Sequence, residues 1–157
     1  MISSQAIADV LAALWFEVDH RDGADAHLFF TPDADLTFGS ARFEGRTAIQ
    51  SVYRGRAARG PRVSRHIISN VHITRLEGNT AEVMSALCLY AQDGVGPRPR
   101  VTPVAISDVR DRFVRTSAGL LIASRTITNQ FMETDAEFAV PTQPQATETP
   151  RQRKVDA

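Results

Sequence analysis

Residues 64–92, SRHIISNVHITRLEGNTAEVMSALCLYAQ, hold two runs rich in Val, Ile, Thr and Leu. The first covers Ser64 to Arg75 and the second Thr80 to Gln92, with Glu77-Gly78-Asn79 between them. β-Branched and apolar residues of this kind suit a half-buried pleated surface, and a Gly-Asn pair between such runs marks a turn. Val71-His72-Ile73 alternates at the strand period of two. The pattern continues downstream in Val101 to Arg115 and Leu120 to Met132, where Asp108 to Val114 alternates as clearly. Turn signals at Asp93 through Pro99 and at Ser117-Ala118-Gly119 separate these runs. Four long strands in succession predict an antiparallel meander.

Upstream of the meander the period changes. From Ser4 to His20 the apolar residues fall at Ile7, Leu11, Leu14, Trp15 and Val18, spacings of three and four that mark one face of a helix. Arg21 to Gly23 break it. Ala24 to Phe30 reads as a second, shorter helix, ended by Thr31-Pro32-Asp33 because proline disfavours helix in the residue before it. Leu36, Phe38 and Phe43 fit short strands interrupted around Gly39 to Ala41. A third helix, Thr47 to Ala58, carries Ile49, Val52, Tyr53 and Arg56 on one stripe and is closed by Gly60-Pro61. Helices first and a meander afterwards predict an α+β fold, not alternating β-α units.

The chain of 157 residues suffices for one domain with a real core. That domain is expected over residues 1–140. Residues 141–157 are Pro, Gln, Thr and charge, with Val155 the only strongly apolar side chain, so a flexible tail is expected there. The formal charge is zero, which gives no global field to recruit nucleic acid or an anionic membrane. Arg54, Arg56, Arg59, Arg62 and Arg65 do crowd one stretch, read as a solvated surface before an anion-binding one. The single cysteine, Cys88, excludes an internal disulfide and a thiolate metal cluster. No histidine pair has metal-ligand spacing, so neither metal nor cofactor is expected. No secretory pattern opens the chain and no apolar run spans a membrane, so the expected location is the cytoplasm.

One residue breaks the helical pattern informatively. Adding four to Ile7 gives Leu11, then Trp15, then Asp19, so a carboxylate continues the row aimed at the core. Such a group needs a partner. Burial and the C-terminal end of the helix dipole would both raise its pKa, which suits a general base. The plainer alternative is an aspartate that ends the helix in solvent or bonds the backbone. On the first meander strand, a period of two places His66, Ile68 and Asn70 on one face, and His72 with them unless a bulge intervenes. An imidazole, an apolar wall and a carboxamide suit a pocket for a polar small molecule. Trp15 and Tyr53 would line the same cavity or serve as plain core. Arg125 interrupts the last strand and would pair with an internal acid or face water.

These residues resemble a known family. Phe16-Glu17-Val18-Asp19-His20-Arg21-Asp22 followed by Phe29-Phe30-Thr31-Pro32-Asp33-Ala34 is similar to the opening of SnoaL-like domains of the nuclear transport factor 2-like superfamily. Phe43-Glu44-Gly45-Arg46-Thr47-Ala48-Ile49 resembles the family's G-R-x-x-I helix start, and Arg65-His66-Ile67-Ile68-Ser69-Asn70 its H-x-x-x-N strand. Leu121-Ile122-Ala123-Ser124-Arg125 resembles the final strand, so the likeness runs over about residues 4–133. It implies a cone-shaped α+β barrel, with three N-terminal helices packed in a strongly curved, mainly antiparallel sheet around a pocket. Scytalone dehydratase and bile-acid 7α-dehydratase of this superfamily use an aspartate and a histidine at the positions matched by Asp19 and His66. Val18 stands where scytalone dehydratase has a tyrosine, and its second histidine falls near Asp93.

The resemblance thus implies a cofactor-independent lyase or isomerase. Asp19 and His66 would be its catalytic residues, and Trp15, Tyr53, Ile68 and Asn70 would contact a small hydrophobic or polyketide/steroid-like substrate. Ring-hydroxylating dioxygenase β subunits share the fold without catalysing a reaction, so a non-catalytic ligand-binding or β-subunit-like module is the alternative. A homodimer is expected through the outer sheet face, to which Val104 and Ile106 are assigned.

Overall fold

A computed structural model describes residues 2–135 and Phe138. The expected tail, residues 141–157, lies outside these residues. Helix α1 spans Ser4–His20 and starts where the Ser3 side chain accepts the Ala6 N–H at 3.2 Å. Ile7, Leu11, Leu14, Trp15 and Val18 are all buried, as the spacing predicts. The chain leaves α1 through Asp22 and Gly23, both with positive φ (55° and 73°). Buried Glu17 fixes this turn: its carbonyl accepts the Arg21 and Gly23 N–H groups and its carboxylate accepts that of Asp25.

The second expected helix is only a 3-10 turn, Ala26–Phe29, because strand β1 (Phe30–Phe38) already begins at Phe30. Thr31 and Pro32 are therefore in a strand. The missing Pro32 N–H is accommodated where the pairing of β1 shifts register, between Phe30 and Asp35. Strand β2 (Ala41–Glu44) returns antiparallel to β1, and helix α2 occupies Arg46–Ala58. Four long strands follow: β3 (Arg62–Glu77), β4 (Thr80–Asp93), β5 (Ala105–Thr116) and β6 (Gly119–Met132). Residues 101–104 of the expected third meander strand fall outside β5, in keeping with Pro103, which cannot donate to a ladder.

The strands form one curved mixed sheet in the order β2-β1-β6-β5-β4-β3, antiparallel throughout except for the β1–β6 pair. Helix α1 packs on both β3 and β6, which two other strands separate, so the sheet curls around it. Helix α2 closes the side formed by β1 and β2. The inner face is apolar along Ala81, Val83 and Leu87 of β4 and Val109 and Phe113 of β5.

Two expectations about faces are corrected. Strand β3 carries a bulge between Ser69 and His72, with Asn70 at φ 52°. One extra residue reverses the alternation, so Ser64, His66 and Ile68 face inward before it and Val71 and Ile73 after it. Asn70 is thereby exposed and leaves the face of His66. Val104 is buried, 3% exposed, and does not contribute to the outer face, whereas Ile106 is 37% exposed. Ile106 belongs to an outward cross-strand row, Ile67–Cys88–Ile106–Phe131.

Candidate active site

Asp19 sits in the last turn of α1, one turn beyond Trp15, and reaches β3. Its Oδ1 accepts from the ring Nδ1 of His66 at 2.6 Å and from the Ser64 hydroxyl at 2.7 Å. Its Oδ2 accepts the backbone N–H of His66 at 2.8 Å. The Asp19 side chain is 6% exposed and that of His66 12%. The stripe position that sequence periodicity gives to Asp19 is real, and His66 is its partner.

The direction of the Asp19 pKa departs from expectation. Burial does raise it, but the His66 hydrogen bond, the charge that His66 can carry, the Ser64 hydroxyl and the His66 N–H together outweigh burial and lower it to about 2. Asp19 is a carboxylate at neutral pH and a poor base. Burial pushes the His66 imidazole below its ordinary value, with the Asp19 bond opposing. The pair at neutral pH is therefore a carboxylate and a neutral imidazole. An acceptor on Nδ1 assigns the ring hydrogen to that nitrogen and leaves the Nε2 lone pair free to act as a base.

His66 is one wall of a cavity with about 90 Å³ open to the centre of a water molecule. That is several times the volume a single water needs. Its lining is mostly apolar, with Trp15, Phe38, Leu87 and Ile127 among the walls and Tyr53 entering from α2. The Trp15 indole stacks on the imidazole at 4.2 Å between centroids and 7° between planes. Burial raises the Tyr53 pKa, so its phenol stays a hydrogen-bond donor. Trp15, Tyr53 and His66 of the expected residues thus share one cavity. Asp19 lies behind His66 and outside the lining, half-buried Ile68 packs on the core, and Asn70 is on the far side of the bulge.

Two polar groups were not anticipated. Ser64 donates to Asp19 and accepts from Arg56 Nη2 at 2.8 Å, while Arg56 Nη1 stands 3.6 Å from Asp22. The signals were present, since Ser64 is two residues from His66 and Arg56 continues the Tyr53 stripe. Across the cavity, the Ser107 hydroxyl donates to Asn129 Oδ1 at 2.7 Å, a pairing that only the β5–β6 register reveals. The arginine cluster is divided. Arg54, Arg59 and Arg65 are on the surface, as expected, but Arg56 lines the cavity and Arg62 also lines it while pairing with Asp93. Asp93 itself belongs to an adjoining polar cleft with Arg100 and Asp135. Arg125 meets an internal acid: both side chains of the Arg125–Asp111 pair are fully buried, with bonds of 2.7 and 2.8 Å. Among the described residues, no three His, Cys, Asp or Glu side chains gather to hold a metal ion. Among the described residues, no helix is long and apolar enough to cross a membrane.

Solved structures repeat this architecture. A candidate scytalone dehydratase from Novosphingobium aromaticivorans superposes with a TM-score of 0.72 at 16% identity, covering 90% of this chain and 93% of that one. ActVI-ORFA from Streptomyces coelicolor gives 0.69 at 19% identity, over 80% and 96% of the two chains. The β subunit of a candidate aromatic-ring-hydroxylating dioxygenase from N. aromaticivorans gives 0.70 at 16%, over 82% and 90%. At these identities the likeness is one of fold. No protein of curated function matches the sequence. A family model for the SnoaL-like domain, however, matches residues 2–126, from the first helix into the strand that carries Arg125. A curved sheet closed over a helix-borne acid, and a family match over most of its length, lead to one conclusion: this chain belongs to the SnoaL-like domain family.

Proposed function

We propose that the protein is a cofactor-independent lyase or isomerase acting on a small, largely apolar carbonyl compound of polyketide- or steroid-like size. The observation that carries this reading is the 2.6 Å bond between Asp19 and His66 Nδ1 at the wall of an apolar cavity. In the proposed reaction, His66 Nε2 takes a proton from the carbon next to the substrate carbonyl. The C–H electrons move toward the carbonyl, whose oxygen accepts a hydrogen bond from the Tyr53 phenol. Asp19 stabilises the imidazolium that forms, without taking the proton itself. The imidazolium then returns the proton. Delivered to a β-hydroxyl, it breaks the C–O bond and releases water; delivered to another carbon, it shifts the double bond. Neither route needs an oxidant or a metal.

Trp15 and Tyr53 bracket the substrate in this scheme, and Ile68 supports the wall from behind. A direct substrate contact for Asn70 is dropped, since its side chain is exposed beyond the bulge. The test is proton exchange. A panel of bicyclic β-hydroxyketones incubated with the protein in D2O should lose the α-proton signal by NMR, with or without loss of water. His66→Gln should abolish the exchange. A panel that is bound but never exchanged would refute the reaction and leave a binding protein.

The second reading is a non-catalytic β-subunit-like module, favoured by the fold shared with the dioxygenase β subunit. It would require a large iron–sulfur partner on co-purification, where the enzyme reading requires a protein active as a homodimer.

A further inference from the structure

The Trp15 indole touches both the His66 imidazole and the Arg125 guanidinium. The imidazole stacks on it at 4.2 Å and 7°, and Arg125 Cζ stands 5.2 Å from its ring centroid. The indole is held by these contacts and not by a hydrogen bond, because Trp15 Nε1 is buried with no partner among the described residues. Arg125 is in turn fixed by two bonds to Asp111. A fully buried ion pair generally adds little stability over apolar residues of the same volume. Retaining one against the base of the candidate site calls for another role.

Two constraints on His66 follow from this arrangement. The Asp19 bond fixes Nδ1 but leaves the ring able to swing about the line of that bond. A parallel stack removes the swing and aims Nε2 in one direction. The second constraint is electrostatic. An indole face attracts cations, so Trp15 alone would favour a protonated imidazole. The guanidinium already engages that ring and opposes a second positive charge beside it. The other groups facing His66 are Asp19 from α1, Arg56 and the Tyr53 phenol from α2, and Arg62 from its own strand. Strand β4 offers only Leu87, Leu89 and Ala91 there, and β6 supplies the charge of Arg125, which Asp111 of β5 holds from outside the cavity.

We propose that Trp15 is a positioning residue for His66, and that the buried Asp111–Arg125 pair holds the indole and keeps it from favouring a charged imidazole. The inference rests on His66 being the base of the proposed reaction, but its test needs no substrate. Imidazole ¹⁵N and ¹H shifts of the full chain, followed across pH, report the His66 tautomer and titration midpoint. The wild-type ring should be the Nδ1–H tautomer and titrate below an ordinary histidine. Both Trp15→Phe and Trp15→Leu should retain the tautomer, since Asp19 sets it, but Trp15→Leu should broaden the His66 ring signals as the unstacked imidazole swings. The paired variant Asp111→Leu/Arg125→Met removes both charges together and should raise the midpoint by about one unit.

Ring signals as narrow in Trp15→Leu as in wild type and an unchanged midpoint in a folded paired variant would overturn the proposal. Should the paired variant fail to fold, the Phe and Leu replacements decide it, and identical His66 spectra in the two would overturn it. Where turnover is measurable, the acid limb of kcat/KM should move with the midpoint. Expected spectra without turnover would count against the proposed reaction alone, and turnover with a His66 indifferent to Trp15 would count against the positioning role alone.

Discussion

Replacing Asp19 by Asn keeps the shape of the side chain and removes its charge, which separates its two roles. The carboxylate accepts three hydrogen bonds, from His66 Nδ1, the His66 N–H and the Ser64 hydroxyl. Its pKa falls from 3.8 to about 2 on folding. At 1.36 kcal/mol per unit, that depression sets an upper bound of about 2 kcal/mol where His66 is charged; beside the neutral imidazole of pH 7 the hydrogen bonds alone contribute about 1 kcal/mol. The sign follows from the depressed folded value. The contribution is fully present above the unfolded pKa near 3.8 and is lost as pH falls through the folded pKa near 2. Asp19→Asn should therefore unfold roughly 2–4 °C lower than wild type at pH 7. The gap should narrow between about pH 4 and pH 2, where the wild-type carboxylate becomes protonated as well.

Activity should respond more strongly. A carboxamide can donate to Nδ1, which would move the ring hydrogen to Nε2 and disable the base. The expected loss is about 10²–10⁴-fold in turnover, as for other general-base deletions and tautomer reversals. Calorimetry from pH 2 to 8 and the exchange assay above measure the two effects separately. A variant as stable as wild type at pH 7, with a gap independent of pH, would refute the assignment of the Asp19 bonds as net stabilising. Full turnover in a folded variant would refute its part in the reaction.

Gly23→Ala should reach the site from outside it. Gly23 has φ 73°, and an added Cβ would stand 2.8 Å from Tyr53 Cδ1, so a loss of about 1–2 kcal/mol and a displaced Tyr53 should appear as a lower melting temperature and a lower kcat/KM. The outward row Ile67–Cys88–Ile106–Phe131, with Phe131 69% exposed, is the surface on which a homodimer would close. Light scattering should give a dimer for wild type and a monomer for Ile106→Lys, and a wild-type monomer at micromolar concentration would exclude the interface. Removing residues 142–157 should leave the melting temperature within a few degrees, since that segment has few apolar groups to offset its ordering. A large drop in a thermal scan would show that it packs.

Much of the fold can be read locally. The α1 stripe places Asp19 because a helix repeats every 3.6 residues, and the meander is visible because strands alternate and turns carry Gly and Asn. What escapes such reading depends on contacts distant in sequence. The parallel β1–β6 pairing, the Ser107–Asn129 bond and the Asp111–Arg125 pair all require strand register. The 3-10 turn at Ala26–Phe29 is too short for its period to separate it from a helix. The bulge at Asn70 is hidden for another reason: a non-glycine residue with positive φ carries only a weak local signature. Periodicity places Asp19 on the core-facing row but implies a raised pKa, because it reports burial and not the three donors that outweigh it.

The β3 bulge makes this strand a spatial reading frame with a one-residue insertion. Upstream of Asn70 the frame serves the cavity, and downstream it serves the hydrophobic core. Deleting Asn70 would remove the insertion and join the Ser69–Ala86 and His72–Met84 pairings in one unbroken ladder, with both halves keeping their faces. Ser64, His66 and Ile68 would stay inward in line with Val71 and Ile73, and what the strand would lose is the bend and added twist that a bulge supplies. Such a chain would keep Asp19 opposite an imidazole while the cavity wall that carries His66 changes its curvature.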